Sequence, residues 1–179
     1  MSKIVVLVGS MRKGGNTDLL ARSFADGAGK NNDVEVISVA DVKVNPCRGC
    51  NACYSSEGNL CIQKDDMSGI YAKLAGADVL VIASPVYFYG ISSQLKAIID
   101  RLHAPVRNTF RIRRLGLLLT GATELDDLFD AIVRQYELTL RFFKLESIGE
   151  VFARGVKDIG DIEGKPVLRN AYELGESVR

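Results

Sequence analysis

All four cysteines of the chain, Cys47, Cys50, Cys53 and Cys61, fall in one short segment. The spacing is Cys-x2-Cys-x2-Cys-x7-Cys, so three thiolates at i, i+3 and i+6 of an irregular loop can converge on one small body while the fourth closes the cage. Compact runs of this kind hold iron–sulfur clusters, whereas zinc ribbons use two separated C-x2-C knuckles. Four thiolates also suit tetrahedral zinc, and unmetallated redox-active thiols are a third reading. Structural disulfides fit poorly in a reducing compartment. Four unrelated buried cysteines fit poorly too, because the segment is polar and contains Gly49 and Gly58, which let it curl tightly.

A second constellation follows the first apolar run: Gly9-Ser10-Met11-Arg12-Lys13-Gly14-Gly15-Asn16-Thr17. A loop between a strand and a helix, with hydroxyl and amide donors, an arginine and glycines, suits a phosphate, because the helix N-terminus offers unpaired N–H groups and the positive end of its dipole. The bland alternative is that Asn16 or Thr17 caps the helix and the glycines make a turn. The loop matches neither G-x-G-x-x-G nor G-x-x-x-x-G-K-[ST], which removes the main support for a dinucleotide or P-loop reading. A third constellation, Ser84-Pro85-Val86-Tyr87-Phe88-Tyr89-Gly90, follows another apolar run. Pro85 stiffens the turn, and consecutive aromatics offer flat apolar surface for a conjugated ring, or simply pack in the core or at a subunit interface.

The elements that must position these residues are legible. Five apolar or β-branched runs, Ile4–Val8, Val34–Val39, Val79–Ala83, Leu115–Thr120 and Ile148–Phe152, alternate with segments of helical apolar spacing, the signature of an α/β fold around a parallel sheet. Continuous apolarity marks central strands, and Glu35 and Ser38 mark the second run as an edge. Helices are predicted from Leu20, Phe24 and Ala28; from Met67, Ile70, Tyr71 and Leu74, with Asp65 or Asp66 as N-cap; and from Ile91, Leu95, Ile98, Ile99 and Leu102. A further pair is predicted from Leu125, Leu128, Phe129, Ile132, Val133, Tyr136 and Leu140, and near Pro166. Residues 41–64 show no period, far longer than the ~2–6 residues of an ordinary connection, and hold every cysteine.

Length and charge narrow the function classes. A chain of 179 residues, 47% hydrophobic, with 23 Lys+Arg against 22 Asp+Glu, is expected to fold as one domain over residues 1–179 and needs no staple for stability. Charge balance argues against a nucleic-acid partner. No apolar run approaches the ~18 residues of a membrane span. Ile4–Val8 is too short for a signal-peptide core, so a cytoplasmic location is expected. His103, the single histidine, reads as charge at a helix C-terminus. Asp100 and Arg101 read as a surface or interface pair, and Arg107, Arg111, Arg113 and Arg114 as a solvated basic face. No hydrolase triad or H-E-x-x-H motif is present.

The loop Gly9–Thr17 resembles the FMN-phosphate loop of the flavodoxin-like NAD(P)H-dependent oxidoreductase superfamily, and Ser84–Lys96 resembles the same family's segment after the third strand. The resemblance implies a three-layer flavodoxin-like fold with a five-stranded parallel sheet in order 2-1-3-4-5. It implies that Ser10, Arg12, Asn16 and Thr17 hold the FMN phosphate, that Pro85, Val86, Tyr87 and Phe88 line the isoalloxazine ring, and that Thr120 and Gly121 reach the same ligand. The four-cysteine loop is similar to that of the iron-sulfur flavoproteins, which carry a [4Fe–4S] cluster beside FMN; the alternatives are a cluster-free NAD(P)H-dependent FMN or quinone reductase and, behind it, a zinc-stabilised noncatalytic binding module. The flavin rather than a side chain then carries the chemistry. Partners implied are NAD(P)H, ferredoxin or a quinone, with a homodimer or homotetramer as the assembly.

Overall fold

The computed structural model describes residues 1–179. Its strands are β1 (Lys3–Val8), β2 (Asp33–Ser38), β3 (Val79–Tyr87), β4 (Gly90–Ile91), β5 (Arg114–Thr120) and β6 (Glu146–Ala153). Its helices are α1 (Asn16–Ala28), α2 (Met67–Ala75), α3 (Ser93–Arg101), α4 (Asp130–Phe143) and α5 (Pro166–Ser177). The sheet runs β2-β1-β3-β5-β6, every neighbouring pair parallel. Among the parallel strands this is the expected order 2-1-3-4-5. The sheet nevertheless has a sixth strand: β4, only two residues long, turns back antiparallel on the end of β3. Two residues carry no periodic signal, so the sequence could not show it.

Side-chain alternation divides the core into the two outer layers. Val5, Leu7, Leu80, Leu115, Leu117 and Leu119 face α2, α3 and α4. Ile4, Val6, Val8, Val79, Val81 and Leu118 face α1 and α5. β1 and β5 are buried along almost their whole length and β3 over most of Val79–Ser84, while β2 and β6 are the exposed edges. Each apolar side chain taken fully out of water contributes about 1.5–3 kcal/mol, and Phe24, Phe129, Ile4, Leu7 and Leu20 are such side chains.

Two helix boundaries differ from the periodic reading. Ile91 belongs to β4 rather than to α3, which starts behind the Ser92 cap. α4 begins at Asp130, with Leu125 exposed in the preceding turn. The last helix holds the first: α1 and α5 cross with backbone against backbone. A Cβ on Gly27 would come within 2.0 Å of the Tyr172 carbonyl oxygen, and one on Gly175 within 2.1 Å of that of Phe24. Only glycine permits this approach.

Candidate functional site

Strand order reverses at β1 and β3, and in open α/β sheets ligands bind outside the carboxyl ends at that point. Three loops meet there, after β1, β3 and β5. The Gly9 N–H donates to the Ala83 carbonyl at 2.7 Å. Pro85 lies in register with Thr120. The buried hydroxyls of Thr17 and Thr120 hydrogen-bond at 2.6 Å across 103 residues of sequence. The structure thus assembles the candidate residues Thr17, Pro85 and Thr120 in one place.

The N-terminus of α1 is the centre of this arrangement. Its N-cap is Gly15, with no side-chain cap, so neither Asn16 nor Thr17 caps it. Asn16, Thr17 and Asp18 are all buried, and N–H groups of a first turn have no partners within their own helix. An uncapped, buried helix start of this kind is an anion receptor. Ser10, also buried, accepts from the Arg12 N–H at 3.1 Å and shapes the turn. Arg12 is exposed and donates through Nη1 to the Lys157 carbonyl.

Asn16 is placed differently from a free phosphate donor. Its Nδ2 donates to the Asp158 carbonyl at 2.9 Å and its Oδ1 accepts from the Ile162 N–H, so the side chain fastens residues 158–162 against the loop. The sequence reading missed this segment and also Asp18, whose carboxylate accepts from the Gly14 N–H at 2.7 Å. Gly155, Gly160 and Gly164, each with left-handed φ, were the available signal for the segment.

The aromatic segment is a hairpin. Tyr87 pairs with Gly90, leaving Phe88 and Tyr89 as a two-residue turn, with φ of 51° and 61°. Positive φ at both central positions is the type I′ pattern that favours Asn-Gly. Phe88 is 100% exposed, and Tyr87 and Tyr89 are exposed beside it, while Pro85 and Val86 are half-buried. These rings are not core. An exposed aromatic platform beside an anion receptor at the sheet's carboxyl edge fits a flavin.

Residues 41–64 form the predicted irregular loop, with only short 3-10 turns at Ala52–Tyr54 and Glu57–Asn59. Cys47 and Cys50 are exposed, Cys53 and Cys61 half-buried, and all four are free thiols. Burial pushes the Cys53 thiol up, and the neighbouring charges of Cys61, Cys47 and Cys50 push it further. The donor chemistry fits an iron–sulfur cluster: four thiols of one loop share a neighbourhood, and the Gly49 N–H donates to Cys47 Sγ at 3.4 Å. The sulfurs are not gathered into a ready cage, since no three metal-ligating side chains stand together. Left-handed Gly49, Asn51, Gly58 and Asn59 give the loop its tight curl.

The C-terminal end of α3 grips this loop. Arg101 is buried, not a surface residue, and pairs with Asp65 rather than Asp100, which pairs with Lys96 instead. His103 meets the Tyr54 hydroxyl at 3.1 Å through Nε2. Elsewhere, an apolar cavity of about 470 Å³ opens between α3, the Pro105–Thr109 turn and α4, lined by Leu80, Ile82, Leu115, Leu117 and Phe143. None of the candidate flavin residues lines it.

Comparison with known proteins agrees with this geometry. The family model for NADPH-dependent FMN reductases matches residues 2–128. The chain belongs to this family. Among members and relatives of the FMN reductase family, an iron-sulfur flavoprotein of Methanocaldococcus jannaschii is 40% identical over 124 residues, covering 68% of this chain and 63% of the relative. The chain therefore spans less than two thirds of that relative's length. A Bacillus subtilis protein named as an NAD(P)H-dependent FMN-containing oxidoreductase is 26% identical over 168 residues, covering 89% of this chain and 88% of the relative. An NAD(P)H:quinone oxidoreductase structure from Methanothermobacter marburgensis superposes with a TM-score of 0.77 at 15% identity over 99% of both chains, a likeness of fold.

Proposed function

We propose that this FMN reductase family member is an FMN-dependent oxidoreductase that takes electrons from NAD(P)H or a protein donor and carries a [4Fe–4S] cluster on the Cys47–Cys61 loop. The observation that carries the flavin assignment is the buried, uncapped N-terminus of α1 between three converging loops. Bound FMN supplies two-electron hydride acceptance and one-electron release.

The chain's own residues do the rest. The first-turn N–H groups of α1, with Thr17 and the Ser10 turn, receive the phosphate, and Arg12 adds positive charge at the rim. Asn16 holds residues 158–162 over that loop and so excludes water from one side. Thr120 and Gly121 fix the third wall, while Pro85, Val86, Tyr87 and Phe88 bear the ring. An open aromatic face leaves room for a nicotinamide or quinone to stack. The cluster assignment is supported by the cysteine spacing, the shared neighbourhood of the thiols and the names of the archaeal relatives. A cluster-free NAD(P)H-dependent FMN or quinone reductase is the second reading, favoured by the ungathered sulfurs and by the Bacillus relative.

Assembly as a homodimer or homotetramer is supported by α4, which exposes Leu138, Phe142 and Phe143, the last of them lining the cavity. No helix is long and apolar enough to cross a membrane, and four free thiols fit the reducing cytoplasm. Anaerobic purification with an absorption spectrum and assays for iron and acid-labile sulfide tests the function. Flavin with stoichiometric iron and sulfide supports the first reading, flavin alone the second, and zinc without flavin overturns both.

A further inference from the structure

Arg101 is one of the few charged residues in the protein that is buried, at 2% exposure; Asp65 answers its charge, but not all of its N–H groups have partners. Nη1 donates to Asp65 Oδ2 at 2.5 Å and to the Asn45 carbonyl at 3.3 Å. Asp65 in turn accepts from the Asn45 N–H at 2.9 Å, from Asn45 Nδ2 and from the Met67 N–H. Asn45 precedes the first cysteine and Asp65 follows the last, so one guanidinium joins both ends of the cysteine loop. A second tie closes the same neck: the Lys43 N–H donates to Asp66 Oδ2 at 2.6 Å, and the Asp66 N–H to the Lys43 carbonyl. Tyr71 completes the anchor by donating its hydroxyl to the Arg101 carbonyl at 2.7 Å.

Three buried side-chain polar atoms have no partner; besides Arg107 Nε they belong to Arg101 and Gln63, at the neck of the cysteine loop. Arg101 Nε has no acceptor and Gln63 Oε1 no donor, although Gln63 Nε2 reaches 3.9 Å from Cys61 Sγ and bonds the Pro46 carbonyl. Burial opposes the Arg101 charge, but the hydrogen bond to Asp65 and the neighbouring Cys61 hold the guanidinium ionised. A buried N–H without a partner is rare in folded proteins because it forfeits roughly 1–3 kcal/mol. Here one is kept on the cation that ties the loop's neck.

We propose that Arg101 is the positioning residue of the cysteine loop: through Asp65 and the Asn45 carbonyl it locks the loop's two ends to α3. The proposal rests on the reading of this loop as the cluster-bearing segment. The lock is made by protein groups alone, so the neck of the loop is formed before any metal arrives.

The test uses Arg101→Gln, Arg101→Lys and, in case the first does not fold, Asp65→Asn, which opens the same tie from the loop side. Two readouts are taken. In cluster-free protein, trypsin cleavage at Arg48 and Lys64 is timed, with bound FMN absorbance and melting temperature as controls for the fold. In anaerobically reconstituted protein, iron and sulfide are assayed. Arg101→Gln is expected to be cut at least tenfold faster inside the loop and to take up less iron than the wild type, while retaining FMN and its melting temperature. Arg101→Lys, which keeps the charge but loses the fork, is expected to be cut as fast as Arg101→Gln. Wild-type cleavage rates in Arg101→Gln overturn the lock. A wild-type protein that takes up no iron refutes the cluster reading, while the protease readout still decides the lock.

Discussion

Replacing the turn Phe88-Tyr89 by Asn-Gly separates what the aromatic hairpin does for the fold from what it does for the ligand. Both residues lie in left-handed backbone, which is disfavoured by about 1–2 kcal/mol for an ordinary L-residue, so the pair stores ~2–4 kcal/mol. Asn-Gly is the preferred occupant of such a turn. Glycine returns roughly 0.5–1 kcal/mol through the freedom of the unfolded chain. Phe88 gives up no burial at 100% exposure, and half-exposed Tyr89 gives up a little. The double variant Phe88→Asn, Tyr89→Gly is therefore expected to be more stable by about 1–2 kcal/mol, or ~2–8 °C in Tm for a chain of this size. Loss of aromatic contact worth ~0.5–1.5 kcal/mol should weaken FMN binding about 2- to 12-fold. Thermal unfolding of cofactor-free protein and titration of flavin fluorescence measure the two effects. A variant no more stable than the wild type refutes the strain; a more stable one with unchanged FMN affinity and NAD(P)H oxidation refutes the placement of the ring on Phe88.

Arg12→Ala and Thr17→Ala are each expected to weaken FMN retention by about tenfold, the loss of ~1–1.5 kcal/mol expected for one hydrogen bond; unchanged Kd in both contradicts the phosphate assignment. Cys50→Ser should abolish bound iron, by colorimetric assay, and leave the flavin spectrum intact. Asp65 is held below the usual carboxylate range: burial opposes its charge, but Arg101 and the backbone N–H groups outweigh it. Its stabilising effect is thus full above pH ~4 and is lost as pH falls through the depressed folded value. Asp65→Asn should lower stability at pH 7 by about 3 kcal/mol, the cost of breaking a buried pair, and the difference should shrink in urea melts below pH 4. Phe142→Glu should shift the assembly toward smaller species in light scattering, and no change in mass argues against α4 as an interface.

Sequence legibility tracked how local each feature is. β1, β3 and β5 are readable because strands covered on both faces are apolar without interruption, and the Gly9–Thr17 loop because strand, loop and helix follow directly. The cysteine loop stands out by its lack of period. Arg101 was misread because two adjacent charges on a helix look solvated; its burial depends on a loop some 40 residues earlier, whose path no periodicity reveals. The same holds for Asn16, whose partners Asp158 and Ile162 are distant in sequence. The hairpin turn was hidden because bulky aromatics occupy positions where Asn-Gly would have announced it.

The glycine crossing of α1 and α5 carries a consequence for how the protein is made. α1, the helix of the proposed phosphate site, leaves the ribosome well before Tyr172 and Gly175, the groups its backbone packs against. Between Ala28 and Pro166, translation takes roughly 7–30 s at about 5–20 residues per second. Through that interval the nascent chain has its anion-binding loop but lacks the support that holds it, and Thr17 waits for Thr120 as well. At the proposed FMN site, cofactor loading is thereby deferred until α5 has been made.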